Sequence, residues 1–398
     1  MPDLYPFPSG PHGMPSPLYR HRHAYAPLDP VPLAGDGTAV LAVRYDDVRE
    51  VLAGPAFSRR VLDPDAPRVT EGEELSRLDP DAPDLLINMD PPRHTRLRRV
   101  LAGALSPRRI ASWRPVVERI ADGLLDRLTA PADLVAGYAM PLPIAVISEV
   151  LGVSIDDRED FVAWSELALS AADLDEEERI DKALRFFGYL ERLIAERRAT
   201  PGEGFVDTLV GGGELTESEA LRTVGLLVVG GYETTSTVLA RGLYTLLVRP
   251  ERYRALRGGD VPAVVEEILR CHPASDAALL RLATEDVTLP SGPVRAGQYV
   301  LPVTAAANQD QSVFPDPETF DPDRPGPPAH LSFGHGPHYC PGAGLARLEL
   351  TVALERLAAR FPGLRLAVPA DEIGWLDTAL VRRPTRLPVD WDAVPARD

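Results

Sequence analysis

The chain is almost without lysine. Of its 42 basic residues only Lys182 is a lysine. Asp181 precedes it, so a phosphate-cradling loop that ends Gly-Lys-Ser/Thr is excluded. A Schiff-base lysine could only be Lys182, inside the charged stretch from Asp173, where it would be solvated. The bias towards Arg, Ala, Gly and Pro fits a GC-rich coding sequence. Cysteine is also scarce. Cys271 and Cys340 cannot build a disulfide framework, and the chain reads as cytoplasmic. Long apolar runs are missing. The longest near-apolar stretch, Val224 to Gly231, falls far short of the roughly 20 residues a spanning helix needs. Met1 to Pro17 holds no basic stretch followed by an apolar run, so no targeting segment is expected. No Gly-x-Gly-x-x-Gly occurs, which leaves no sign of a bound flavin or NAD. Positive charge is in deficit at −17 net, which argues against nucleic acid and membrane as partners.

What is present is ordinary for a globular protein: 398 residues, 44% apolar and 25% charged. No composition shift marks a boundary, so one large domain over residues 1–398 is expected, and a monomer. Proline is twice its usual ~5% but clusters outside the periodic segments, as loop punctuation. Residues 1–35 read as an extended lead-in. Residues 38–45 are strand-like, and Tyr45-Asp46-Asp47 opens a short helix to Leu52. Residues 57–90 form a long acidic stretch of the kind that serves as a lid or binding loop. Its hexapeptide Leu-Asp-Pro-Asp-Ala-Pro, at 62–67 and 78–83, reads as chance in a Pro- and Asp-rich segment. From Pro91 to about 270 helices dominate, broken at Pro107 and Pro115. Further helices are expected over Pro141–Leu151, Arg158–Leu169, Glu176–Arg198 and Phe205–Val210. Residues 280–305 are strand-like, 308–330 irregular and 341–361 helical.

The most informative helix runs from Thr216 to Val248. Thr216-Glu217-Ser218-Glu219 is a capping box and Pro250 ends the helix. It is apolar nearly all round before Gly230, so it should cross the core. Its middle reads Gly230-Gly231-Tyr232-Glu233-Thr234-Thr235. Two glycines cost about 1 kcal/mol each in a helix interior, and a buried carboxylate and hydroxyls need partners. Such a local breach inside good helix sequence marks a functional site; a helix-packing notch is the plainer alternative.

A second site lies in Phe333-Gly334-His335-Gly336-Pro337-His338-Tyr339-Cys340-Pro341-Gly342. The glycines and prolines make a loop, and a helix starts just after Cys340. A cysteine there faces unpaired N–H groups and the positive end of the helix dipole, which should depress its pKa. Its thiolate could be a nucleophile, a zinc ligand or a haem ligand. Zinc would need His335, His338 and a fourth ligand, for which only His330 is near. A cysteine nucleophile finds no local signature. Haem needs the one thiolate alone.

The segment resembles the haem-binding signature of the cytochrome P-450 family, Phe-x-x-Gly-x-His-x-Cys-x-Gly, at Phe333, Gly336, His338, Cys340 and Gly342. Glu267-Ile268-Leu269-Arg270 matches the family's Glu-x-x-Arg motif, and Phe320 to Arg324 is similar to the segment whose arginine joins it. Gly230 to Thr235 resembles the oxygen-binding groove, and Asp90 to Arg98 the helix that passes the haem in bacterial members. Pro341, after the cysteine, and Tyr232, where many bacterial members have histidine, depart from the pattern.

The resemblance implies a mainly α fold with a small β portion: one haem-binding domain with a long central helix over the haem. It implies a haem b cofactor with Cys340 as iron ligand. Phe333 and Gly342 would also belong to the cofactor site, and His94, Arg98, Arg281 and His338 would pair with the propionates. Glu233 and Thr234 would deliver protons to dioxygen. Glu267, Arg270 and Arg324 would form a structural ion-pair set. The implied activity is a monooxygenase of secondary metabolism that hydroxylates or epoxidises a small-molecule substrate. Oxidative coupling of a cyclic dipeptide or other aromatic substrate is the alternative, and a haem sensor a third reading. Electrons would come from a ferredoxin and its reductase, with Arg347 a candidate docking charge. Leu226, Leu227, Gly230, Tyr232, Asp276 and Leu279 would line the substrate pocket, with the 57–90 loop, helices around 165–190 and the turn near Leu376–Leu380. Asp276 could equally be a surface loop residue.

Overall fold

The computed structural model describes residues 4–392 apart from 62–65, 71–84, 153–159, 161–175, 201, 203, 325–328 and 378–380. The helix expected over Arg158–Leu169, the hexapeptide pair and the turn near Leu376–Leu380 fall largely outside the described residues.

Helices α1 (Leu18–Tyr25) and α2 (Tyr45–Ala53) flank the first strands. Then come α3 (Arg93–Ala104), α4 (Pro107–Ser112), α5 (Arg114–Leu125) and α6 (Pro141–Leu151). Proline opens α4, α5 and α6 in the first turn, where its missing N–H costs nothing. Next are α7 (Glu176–Ala199), α8 (Phe205–Gly211), α9 (Glu217–Leu247), α10 (Pro250–Ala255) and α11 (Val261–Cys271). The short α12 (Thr304–Ala307) and long α13 (Ala343–Arg360) are the last α-helices among the described residues.

Helix α9 organises the rest. Thr216 caps it reciprocally with Glu219, each side chain bonded to the other's backbone N–H. Its 31 residues span about 46 Å at 1.5 Å each. It packs on α6, α7, α11 and α13, and their apolar faces form the largest core cluster. The two middle glycines do different things. A Cβ at Gly231 would lie 2.9 Å from Ile147 Cδ1, so this glycine lets α6 approach. A Cβ at Gly230 would meet nothing within 4 Å.

The largest sheet holds β1 (Pro30–Pro32), β2 (Thr38–Ala42), β3 (Phe57–Ser58), β5 (Arg281–Ala283) and β8 (Tyr299–Pro302). Its order is β1-β2-β8-β5-β3, and only β2 and β8 run parallel, with Leu41 opposite Leu301. Small pairings join β4 (Ala132–Asp133), β12 (Pro388–Asp390) and β9 (Arg365–Leu366); β6 (Val287–Leu289) and β7 (Gly292–Val294); and β10 (Trp375–Asp377) and β11 (Arg382–Pro384).

The lead-in is not simply extended. It carries α1, and Tyr5, Phe7 and Tyr19 are buried in the core of the large sheet. Tyr5 pairs edge-on with Phe7. The aromatic residues were in plain sight, but their long spacing hides any periodicity.

Candidate active site around Cys340

Cys340 sits at the end of a loop that its own backbone closes: its N–H donates to Phe333 O at 2.8 Å. Gly334 and Gly336 adopt φ of 73° and 70°, the left-handed region that glycine enters without strain. Gly336 is also a close approach, because a Cβ there would lie 2.7 Å from Ala53 Cα. The loop is thus seated on the end of α2. Gly342 is the N-cap of α13, so the helix begins at Ala343, two residues later than the sequence implies. The amides of Gly342 and Ala343 point to the Cys340 sulfur.

Burial nevertheless prevails at that sulfur. Desolvation pushes the thiol above its usual range, against the pull of those amides, Arg98 and Arg347. The expectation of a depressed pKa fails because the helix end also brings protein around the sulfur. A bound metal ion removes the difficulty, since a coordinating thiol is deprotonated outright. Cys271 differs: it is buried in α11, and desolvation pushes its thiol up to about 12.

Cations gather beside the loop. His94 on α3 and His338 lie with ring centroids 4.1 Å apart. Both lose basicity, mainly by burial and then by the neighbouring arginines; His338 falls to about 3. Arg98, one turn after His94, donates to Tyr339 O. Arg281 on β5 is 2% exposed, and its Nε and Nη1 have no hydrogen-bond partner. Buried guanidinium N–H groups without acceptors are costly. Arg281, close enough to act on both imidazoles, is what fits this cluster to an anionic group.

Arg59 belongs to the same neighbourhood and escaped the sequence reading. It is 3% exposed, and Nε donates to Ile87 O at 2.7 Å and Nη2 to Asn88 Oδ1 at 3.1 Å. Nη1 reaches Leu280 O, and the charge bears on His338. In the sequence it is one of four arginines in the 57–90 stretch, with no signal that sets it apart.

The central helix carries an opening of its own. Leu226, Gly230 and Thr234 fall one turn apart on one face. Gly230 is exposed and Leu226 and Thr234 are half-buried, although the flanking helix lies in the core. Thr234 Oγ1 donates to Gly230 O at 2.7 Å. Glu233 is 4% exposed. Leu227 is half-buried and Leu279 is 44% exposed. Tyr232 is 2% exposed, within the main core cluster.

Asp276 corrects the reading of a surface loop residue. It is 7% exposed; both carboxylate oxygens accept from Arg382 Nη1 at 2.8 Å, and Oδ2 accepts from Tyr19 O–H at 2.7 Å. The sequence could not show this, because its partners lie 257 and 106 residues away. Glu267, Arg270 and Arg324 are brought together. Arg270 forks onto both Glu267 oxygens at 2.7 Å, and Arg324 Nε lies 3.3 Å from Oε1.

These features fit an anionic cofactor with a metal ion: a sulfur in a closed loop, an arginine without acceptors, and an open notch in a core helix. A family model described as Cytochrome P450 matches residues 171–258 and 261–369. The nocardicin C N-oxygenase of Nocardia uniformis subsp. tsuyamanensis is 44% identical over 362 residues, 88% of this chain and 89% of that protein.

The chain belongs to the cytochrome P450 family.

The mycinamicin IV hydroxylase/epoxidase of Micromonospora griseorubida is 43% identical over 89% of each chain. The LnmA cytochrome P450 hydroxylase of the leinamycin pathway of Streptomyces atroolivaceus superposes with a TM-score of 0.89 at 39% identity, over 98% of this chain and 100% of that one. This P450 is therefore a monooxygenase of haem b, it has the mainly α fold of its relatives, and it takes its electrons from a donor. Among the described residues no group of three or more His, Cys, Asp or Glu side chains is arranged to hold a metal ion, and no helix is long and apolar enough to cross a membrane.

Proposed function

We propose that this P450 inserts one oxygen atom of dioxygen into a secondary metabolite (a polyketide, terpenoid or peptide), with electrons from a ferredoxin and its reductase. The carrying observation is that one chain holds both a sulfur in a braced loop and an open notch in its core-crossing helix. The substrate class rests on relatives named for nocardicin C and mycinamicin IV.

Haem held by a cysteine thiolate supplies oxygen activation, because thiolate donation favours O–O cleavage. The chain's residues divide the remaining work. Cys340 presents the sulfur, and Phe333 and Gly342 hold its loop. Arg281, Arg98, His94 and His338 would receive the propionates, where the unpartnered nitrogens of Arg281 would gain acceptors. Gly230, where a Cβ would meet nothing within 4 Å, would leave room for dioxygen against the helix. Thr234 Oγ1 can turn its proton from Gly230 O to the open side and donate there. Glu233 can replace that proton by relay. Leu226 and Leu279 offer apolar contact to substrate.

The ferredoxin reading draws on charge. Arg99, Arg108 and Arg109 lie on α3 and α4 and form no ion pair among the described residues. Helix α4 packs on the start of α13, where a Cβ at Gly344 would meet Ile110. In a chain of net charge −17 this is a local positive field for an acidic partner. We read the whole chain as one domain and a monomer.

The ferrous–carbon monoxide difference spectrum tests the thiolate. Cys340→Ala should lose the thiolate band, while Cys271→Ala keeps it. A wild-type protein without that band would sink the reading. Product mass then separates insertion, +16, from oxidative coupling, −2.

A further inference from the structure

Arg347 spends its whole guanidinium on neighbours. Nε donates to Glu266 Oε1 at 2.6 Å and Nη2 to Glu266 Oε2 at 3.0 Å, a bidentate fork from α13 to α11. Nη1 donates to the Tyr339 hydroxyl at 3.0 Å. The guanidinium carbon lies 4.6 Å from the centroid of Phe333. These last two residues open and close the loop that ends at Cys340. Phe333 accepts the Cys340 N–H, and Tyr339 precedes the cysteine. Tyr339 also stands edge-on to Phe333, with centroids 6.3 Å apart. His330 approaches the same Glu266 carboxylate at 3.3 Å.

A docking cation must keep charge and donors free for its partner. Here the fork is occupied, Glu266 neutralises the charge, and the ring of Phe333 covers one face. Lysine could not replace this arrangement, because it has neither the planar fork nor the stacking face.

We propose that Arg347 is a positioning residue that braces the Cys340 loop between α11 and α13, and not a docking charge for the electron donor. The proposal rests on Cys340 as iron ligand. It replaces the docking role suggested by sequence, where the neutralising Glu266 lies 81 residues away.

The experiment uses the haem-loaded wild type, Arg347→Lys, Arg347→Gln and Tyr339→Phe. Two quantities are read: the rate at which the ferrous–carbon monoxide thiolate band is lost on mild warming, and the salt dependence of reduction by a [2Fe–2S] ferredoxin with its reductase. Both Arg347 variants should lose the band at least about five-fold faster than wild type, because a stacked, bidentate contact is gone. Tyr339→Phe should lose it faster too, by less. The salt dependence should stay as in wild type, and so should the far-UV melting midpoint. The docking role predicts the reverse: Arg347→Lys like wild type, and Arg347→Gln with a stable band but slower reduction and a flatter salt response. That result overturns the brace, as do unchanged band lifetimes in all three variants. If Arg347→Gln takes up no haem, Tyr339→Phe still decides, since it leaves the Arg347–Glu266 fork intact. A wild type without the band refutes the iron-ligand reading itself.

Discussion

Gly230 and Gly231 are neighbours in one helix, yet replacing each by alanine should have opposite effects. In a helix interior alanine is favoured over glycine by about 1 kcal/mol. At Gly230 nothing within 4 Å opposes the new methyl, so Gly230→Ala should gain close to that amount. At Gly231 the methyl would lie 2.9 Å from Ile147 Cδ1 and 3.1 Å from Cγ1. The tip of Ile147 can turn, but Cγ1 must follow, and overpacking of this kind costs about 1–3 kcal/mol. The net at Gly231 is then about 0–2 kcal/mol unfavourable, and the two variants should differ by about 1–3 kcal/mol. At roughly 2.1 cal/mol/K per residue, a chain this long shifts its Tm only about 1 °C per kcal/mol. Calorimetry of the haem-loaded variants should therefore place Gly230→Ala about 1–4 °C above Gly231→Ala. The same pair should split the other way in ligand binding: the Gly230 methyl enters the open notch and weakens binding of a phenyl-substituted imidazole, while Gly231→Ala leaves it nearly unchanged. Equal melting temperatures, or a binding loss at Gly231 alone, would refute the division of labour between them.

Three further outcomes follow from buried charges. Asp276→Ala takes the buried carboxylate from Arg382 Nη1 and from the Tyr19 hydroxyl, while Asp377 and Phe7 O remain on Arg382; the cost in urea unfolding should therefore fall short of the roughly 3–5 kcal/mol of a fully stranded charge, at about 2–3 kcal/mol, and a loss below about 1 kcal/mol would refute a structural ion pair. His272 is held far below its usual pKa by burial and then by Arg241, Arg270 and Arg252. The unfolded chain takes up a proton that the folded one refuses, so stability is full above about pH 6.5 and is lost as pH falls, by up to about 1.4 kcal/mol per unit. His272→Gln should remove that part of the slope between about pH 6.5 and 5.5, and an unchanged slope would count against it. Glu349 is 2% exposed, its Oε2 has no hydrogen-bond partner, and burial raises its pKa well above the carboxyl range. Here the folded chain keeps a proton that the unfolded one releases, so stability is full below about pH 4.3 and is lost as pH rises. Glu349→Gln should be more stable than wild type at about pH 8 and equal to it at about pH 4; a less stable variant at the higher pH would refute a neutral buried acid.

What could be read from the sequence was local. The capping box of Thr216 and Glu219 placed the start of α9 within a residue, because its partners are three positions apart. Pro141 and Leu151 bound a helix in both readings, since proline at the first turn and glycine after the last are local devices. The Cys340 loop was legible for the same reason: its glycines, histidine and cysteine lie within ten positions. Asp276, Arg59 and Arg347 were not, because each acts on groups far away in the chain. Their burial depends on how the sheet and helices pack, which spacing cannot encode. The pKa of Cys340 was misjudged for a related reason: the helix end can be seen in sequence, but the desolvation around it cannot.

Tyr19 holds the carboxylate that Arg382 holds from the other side, and Arg382 also donates to Phe7 O. Arg241 in the central helix donates to Gly13 O. The opening residues therefore work as a tie between the central helix and the β10–β11 hairpin, with Asp276 as the knot. A shortened protein that starts after α1 would lose three acceptors or donors at once. The damage would surface at the hairpin, hundreds of residues from the cut, so the first two dozen residues are a poor place to trim this enzyme.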